Sequence, residues 1–113
     1  MKEVKAVVHP HMLDRVLDAL HELPHFPGVT ILDVTGQGRG IGRGHAFEPT
    51  LDELSDLRRK LVEIICTDDV AGDIAEAIRR AAHTGLRGDG IITITDIAQV
   101  IRIHSGEQQE EAV

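Results

Sequence analysis

The apolar residues of this 113-residue chain switch between a period of two and helical spacing, and the order of those switches limits the fold more than any other feature. "KEVKAVV" puts Val4, Ala6 and Val8 on one face, the pattern of a half-buried strand. Pro10 suits a first helical turn, where a missing N–H costs nothing, and Leu13, Val16, Leu17 and Leu20 then recur at helical spacing until Pro24. "VTILDVT" alternates again, with Thr30, Leu32 and Val34 on one side, and "KLVEIIC" supplies a third strand. "TDDVAGDIAEAIRRAAHTG" reads as a second helix, with Thr or Asp as N-cap, Val70, Ile74, Ile78 and Ala81 on one face, late arginines and Gly85 as C-cap. "GIITITDI" makes a fourth strand with Ile92 and Ile94 inward, and "VIRIH" a short further strand before the acidic tail at 105–113. The order βαββαβ defines an α+β, ferredoxin-like split βαβ arrangement with a short extra C-terminal strand.

This length supports one core, so residues 1–113 read as a single domain. Two helices cover one face of such a sheet. The other face, read as carrying Val7, Val29, Ile31 and Ile65, is too apolar for water, and self-association covers it. A net charge of -7 and only two aromatic residues, Phe26 and Phe47, leave no basic stripe and no stacking platform, which argues against nucleic-acid partners. Cys66 is the single cysteine and lies in an apolar run, as a buried structural thiol does. No run approaches the ~18 apolar residues of a membrane span, and the N-terminus lacks a signal-peptide pattern, so a cytoplasmic protein without membrane insertion is expected.

Several constellations bear on chemistry. Gly36, Gly38, Gly40, Gly42 and Gly44 alternate with other residues, among them Arg39 and Arg43, and read either as a flexible loop or as a phosphate cradle of backbone N–H groups and guanidinium forks. Their spacing fits neither the dinucleotide fingerprint nor a P-loop. The span between the second and third strands is long enough to be functional, and Thr50 to Glu53 has the form of a capping box within it. Gly88-Asp89-Gly90 reads either as a tight turn or as part of a site between subunits. The seven histidines have no cysteine partners and no unbroken helical spacing, so scattered surface histidines are favoured over a metal site. Cys66, Ser55 and Ser105 lack the settings of nucleophiles, and Asp52, Glu53 and Asp56 read as a solvated or partner-binding face. No catalytic residue and no enzyme emerge.

Taken together, "KAVVHPHMLDRVLDAL", "GVTILDVTGQGRG", "TGLRGDGII" and "QVIRIHSGE" resemble the PII signal-transduction family, the nitrogen regulatory P-II proteins, over nearly the full length. The resemblance implies a compact homotrimer with no obligatory cofactor. It implies adenine nucleotide bound between subunits, a T-loop at about 37–59 that docks on a transporter, enzyme or regulator, and a B-loop at about 83–90. By the same resemblance Gly36, Gly38 and Arg39 match the T-loop base, Thr30 and Ile65 the adenine surroundings, and Gly88, Asp89, Gly90 and Arg102 the phosphate and ribose side. Arg59 stands where the family usually has a lysine. Gly40 replaces a glutamine that helps hold magnesium and 2-oxoglutarate, which argues against 2-oxoglutarate sensing, and the absence of tyrosine excludes uridylylation of a T-loop tyrosine. Ile91 replaces a lysine, and His104 the second arginine of the C-terminal signature. With fewer fixed cations, ADP, AMP or a cyclic nucleotide is expected over ATP. The alternative is a divergent PII-like or CutA-like trimer serving metal or anion homeostasis.

Overall fold

The computed structural model describes residues 1–36 and 57–113. Strand β1 (Lys2–Val8) leads through a 3-10 turn at Pro10–Met12 into helix α1 (Leu13–His21), and strand β2 (Thr30–Thr35) follows. Strand β3 (Arg58–Cys66), helix α2 (Asp68–Ala82) and strand β4 (Ile91–Asp96) complete the βαββαβ order. The four strands lie in the order β2-β3-β1-β4, every neighbouring pair antiparallel. Two connections that each skip one position therefore interleave, as the split βαβ reading requires.

The period-2 pattern of β1 becomes the core directly. Val4, Ala6 and Val8 are withdrawn from water, and the register sets Val4 between Ile64 and Ile94 and Ala6 between Val62 and Ile92. Val62, Ile64 and Cys66 continue that face on β3, and Val16 and Leu20 of α1 with Ala71, Ile74, Ile78 and Ala82 of α2 close it from above. On α2 Ile74 and Ile78 are innermost as expected, Ala71 and Ala82 complete the buried stripe, and the expected Val70 and Ala81 are only partly buried beside it. Ile94 shares Val4's face yet stays 45% exposed, because β4 is an edge strand beyond the cover of the helices.

Local signals explain where the helices begin and end. Pro10 occupies the first position of the 3-10 turn, and Leu23 N–H closes the end of α1 on the Leu20 carbonyl just before Pro24. Thr67 stands at the N-cap of α2 in an extended conformation without a side-chain capping bond, so Asp68 and Asp69 in the first turn carry the favourable charge there.

Two expectations change. Ile31 pairs with Val62 and so shares the helix-side face, with Val29 packed against the core; Leu32, opposite Leu61, faces the open side. The open face is thus built from Val7, Leu32, Leu61, Ile65 and Ile91. Lys5 lies among them, 3.3 Å from Glu3 and 3.9 Å from Glu63. The further strand at "VIRIH" is one bridge, Ile101 to Gln108: Arg102 N–H bonds the Glu107 carbonyl at 2.8 Å and Gly106 N–H bonds the Arg102 carbonyl at 2.8 Å. With its backbone groups satisfied inside its own turn, the segment adds nothing to the sheet.

Ile64 is fully buried at the centre of β3. Ile64→Ala is expected to lower stability by about 2–5 kcal/mol, read as a lower urea midpoint with an unchanged slope.

Candidate functional site

The loop between α2 and β4 is built around Asp89. Its Oδ2 accepts N–H bonds from Thr84 at 2.9 Å and Gly85 at 3.0 Å, its Oδ1 accepts the Thr84 hydroxyl, and Leu86 N–H bonds the Thr84 Oγ1 at 3.1 Å. These donors, the Thr84 hydroxyl first and its backbone N–H next, hold the Asp89 carboxyl below the usual carboxylate range against the opposing effect of burial. Asp89 therefore shapes its own loop in the way a capping residue shapes a helix end.

The glycines around it answer to backbone geometry. Gly85, Gly88 and Gly90 have φ of +83°, +85° and +111°, a region that residues with a Cβ rarely occupy. At Gly90 a Cβ would lie 1.7 Å from the Val7 carbonyl oxygen, so the loop presses directly on the end of β1. At Gly88 a Cβ would meet Arg59 Nη2 at 3.2 Å and His9 Cε1 at 3.5 Å.

Two other elements reach the same corner. Gly36 N–H bonds the Leu57 carbonyl at 2.9 Å, joining the ends of β2 and β3, and a Cβ at Gly36 would lie 3.7 Å from Arg59 Cγ. Arg59 Nη1 donates to the Arg58 carbonyl at 2.7 Å, so its guanidinium lies near Gly88 with one edge tied to backbone. Of the residues singled out from sequence, Gly36, Arg59, Gly88, Asp89 and Gly90 converge here. Gly38, Arg39, most of the expected T-loop and its capping box lie outside the described residues.

Thr30, Ile65, Arg102 and His104 lie elsewhere in the chain. Thr30 pairs with Glu63 and Ile65 with Glu3, so Ile65 is six residues along β3 from Arg59, on the order of 20 Å. The chain leaves β4 at the opposite end of β1, where Asp96 pairs with Lys2 and Ile97 N–H bonds the Met1 carbonyl. Beyond it Arg102 Nε donates to the Ala112 carbonyl at 2.7 Å, and His104 is exposed in the following turn. Of the nine implied residues that are described, one copy of the chain brings five together.

Sequence reasoning set His9 aside as one of the scattered histidines and did not single out His83 or Thr84. His9 Nε2 lies 4.0 Å from Asp89 Oδ1 and His83 Nδ1 3.5 Å from Asp89 Oδ2. His9 also stacks on His11 with ring centroids 5.1 Å apart. Burial first, then Arg59 and His11, push the His9 imidazole below its ordinary pKa, with Asp89 opposing. The available signal was position: His9 directly follows β1, whose end the Asp-Gly turn must meet if β4 pairs with it. Among the described residues no group of three or more His, Cys, Asp or Glu is arranged to hold a metal ion. Burial raises the Cys66 thiol, which leaves it a poor nucleophile.

A groove of about 210 Å³ opens beside the loop, lined by Val7, Val8, Ile78, Ala82 and Gly90, with Arg79 and His83 at its margin. Arg79 is engaged by Glu76 through Nε at 2.9 Å and Nη2 at 2.7 Å. With Arg80 it holds the Glu76 carboxyl at about 2. The corner therefore offers an anion the Arg59 guanidinium, an imidazole and the backbone of a glycine loop.

The family model for nitrogen regulatory protein P-II matches residues 1–107. The nitrogen regulatory protein P-II of Azospirillum brasilense is 34% identical over 113 residues, all of both chains. The protein of the same name from Klebsiella oxytoca is 36% identical, and nitrogen regulatory protein P-II 1 of Escherichia coli K12 35%, each again over the full length of both chains.

Gly90→Ala is expected to destabilise the fold by at least about 3 kcal/mol, since the loop must leave the Val7 carbonyl to admit a Cβ. Thermal unfolding reads this loss. Thr84→Val removes a bond to Asp89 without touching the core, and exchange of the Gly85 and Leu86 amides is expected to speed up by up to about tenfold.

Proposed function

The chain belongs to the nitrogen regulatory P-II family, and from that premise we propose that it is a non-enzymatic regulator that binds an adenine nucleotide between subunits. The observation that carries this reading is the convergence of Arg59, Gly36, Gly88 and Gly90 at one corner of the sheet. Gly88, at positive φ, brings its backbone close to Arg59 and His9, while the Gly36 and Gly85 N–H groups are held by Leu57 and Asp89, and Arg59 contributes a fork suited to phosphate oxygens. Asp89 and Thr84 hold the loop in that shape before any ligand arrives, which reduces the ordering cost of binding.

Arg102 and His104 reach such a cleft from a neighbouring copy, and Thr30 and Ile65 flank the adenine on the open face. A homotrimer supplies both needs. It brings the C-terminal segment of one copy toward the loop of the next, and it covers Val7, Leu32, Leu61, Ile65 and Ile91, of which Leu32 is 41% and Ile91 65% exposed in a single chain. The T-loop, anchored by the Gly36 to Leu57 bond, then carries the bound state to a protein partner: a transporter, an enzyme or a regulator. The nucleotide shifts that loop to the extent that it binds one loop conformation better than another. No helix among the described residues is long and apolar enough to cross a membrane.

Ile91 shapes nucleotide preference. It opens β4 one residue after Gly90, apolar and largely exposed, and it brings no cation to a terminal phosphate. ADP or AMP is the favoured effector over ATP.

Calorimetry with ATP, ADP and AMP tests this reading. ADP or AMP is expected to bind at sub-millimolar concentration and more tightly than ATP. Arg59→Ala is expected to weaken binding by about 10–100-fold, and Ile91→Lys to raise ATP affinity by about tenfold. Absence of binding by all three nucleotides would overturn the ligand reading, and a monomeric mass in sedimentation the shared-cleft reading.

A further inference from the structure

His9 occupies the position where the cleft's charges meet. It leaves β1 immediately after Val8, and its side chain is 17% exposed. Its Cε1 and Nε2 atoms lie 3.5 and 3.7 Å from the point where a Gly88 Cβ would stand, the point that Arg59 Nη2 approaches to 3.2 Å from β3. Asp89 faces its Nε2 from the loop before β4, and His11 stacks on its ring from the same turn. Beyond Asp89, His83 at the end of α2 faces the other carboxylate oxygen. An imidazole is thus wedged between a fixed cation and a carboxylate already engaged by three donors, against a loop whose Gly88 backbone comes close to both side chains.

We propose that His9 is a proton-linked anion contact of this cleft: a phosphate group that enters beside Arg59 and Gly88 binds together with one proton from solvent, taken up by the His9 imidazole. The inference rests on the nucleotide reading and names the regulation of that site. Without ligand, burial and the neighbouring Arg59 and His11 disfavour a second cation at His9. A phosphate beside Gly88 reverses that balance, since its charge offsets Arg59 and gives the protonated ring an acceptor. Linkage fixes the sign. A site that gains a proton on binding becomes tighter as pH falls, by up to about tenfold per pH unit for one proton. The cleft then reports nucleotide and acidity jointly, in the range where a histidine titrates.

Calorimetric titration in buffers of different ionisation enthalpy counts the protons taken up. ADP and inorganic pyrophosphate are the probes, applied between pH 6 and 8 to the wild type, His9→Gln and His11→Gln, with thermal melting to verify that each variant is folded. The difference between wild type and His9→Gln isolates the imidazole, because the ligand's own phosphate proton is common to both. Expected is an uptake approaching one proton near the acid end of that range and an ADP affinity rising up to about tenfold per unit of acidification, both lost in His9→Gln and kept in His11→Gln. ADP binding with equal uptake in wild type and His9→Gln would overturn the role of His9 and leave the nucleotide reading standing. Pyrophosphate binding with His9-dependent uptake and no ADP binding would uphold the anion contact and overturn the nucleotide reading. Failure of both probes to bind overturns both.

Discussion

Strand β1 is bonded along both edges, to β3 on one side and β4 on the other, while Val4, Ala6 and Val8 seal its helix side from water. A central strand with both ladders filled and one face dry has little freedom to shift, since a slip of one residue exchanges its buried and exposed faces. That rigidity matters at its C-terminal end. The Val7 carbonyl is the surface on which Gly90 rests, and His9 is the first residue past the strand. The cleft is therefore indexed to the core: the same residues that bury Val8 determine where the glycine loop and the imidazole sit.

Asp89 converts that indexing into a shaped loop. A carboxylate in a corner proposed to bind an anion would ordinarily repel its guest. Here both oxygens are occupied by Thr84 and Gly85 donors, with His9 and His83 nearby, so the charge is spent on holding the backbone. The cations around the loop differ in kind. Arg59 is permanent, His9 conditional, and Arg79 is drawn away by Glu76. Under the proposed reading, the pairing of Arg59 with His9 among the described residues would make anion binding sensitive to pH, which a pair of lysines or arginines there would not.

Much of the fold was legible in the residues. Val4, Ala6 and Val8 alternate, Val16 and Leu20 recur at helical spacing, and Pro10 and Pro24 bracket α1, so the order of elements and most of the core follow from local pattern. Gly36, Gly88 and Gly90 were legible too, because glycine clusters mark strained or closely approached backbone. Less visible were the faces of β2, where a reading of short alternation assigned Val29 and Ile31 to the open side. Only the pairing of Ile31 with Val62 decides that question. His9 looked like one scattered histidine among seven, since nothing local in "VVHPHM" states that a loop eighty residues later closes on it.

The sequence by itself determined the alternation of strands and helices, the amphipathic faces, the charge balance and the turn chemistry, because each of these depends on residues within a few positions of one another. The antiparallel register, the contact of Gly90 with the Val7 carbonyl and the gathering of His9, Arg59, Gly88 and Asp89 were decided only by the tertiary structure. Those four residues come from three segments far apart in the chain. They meet because burying one continuous apolar face forces β3 and β4 to either side of β1, and the ends of the strands follow from that choice.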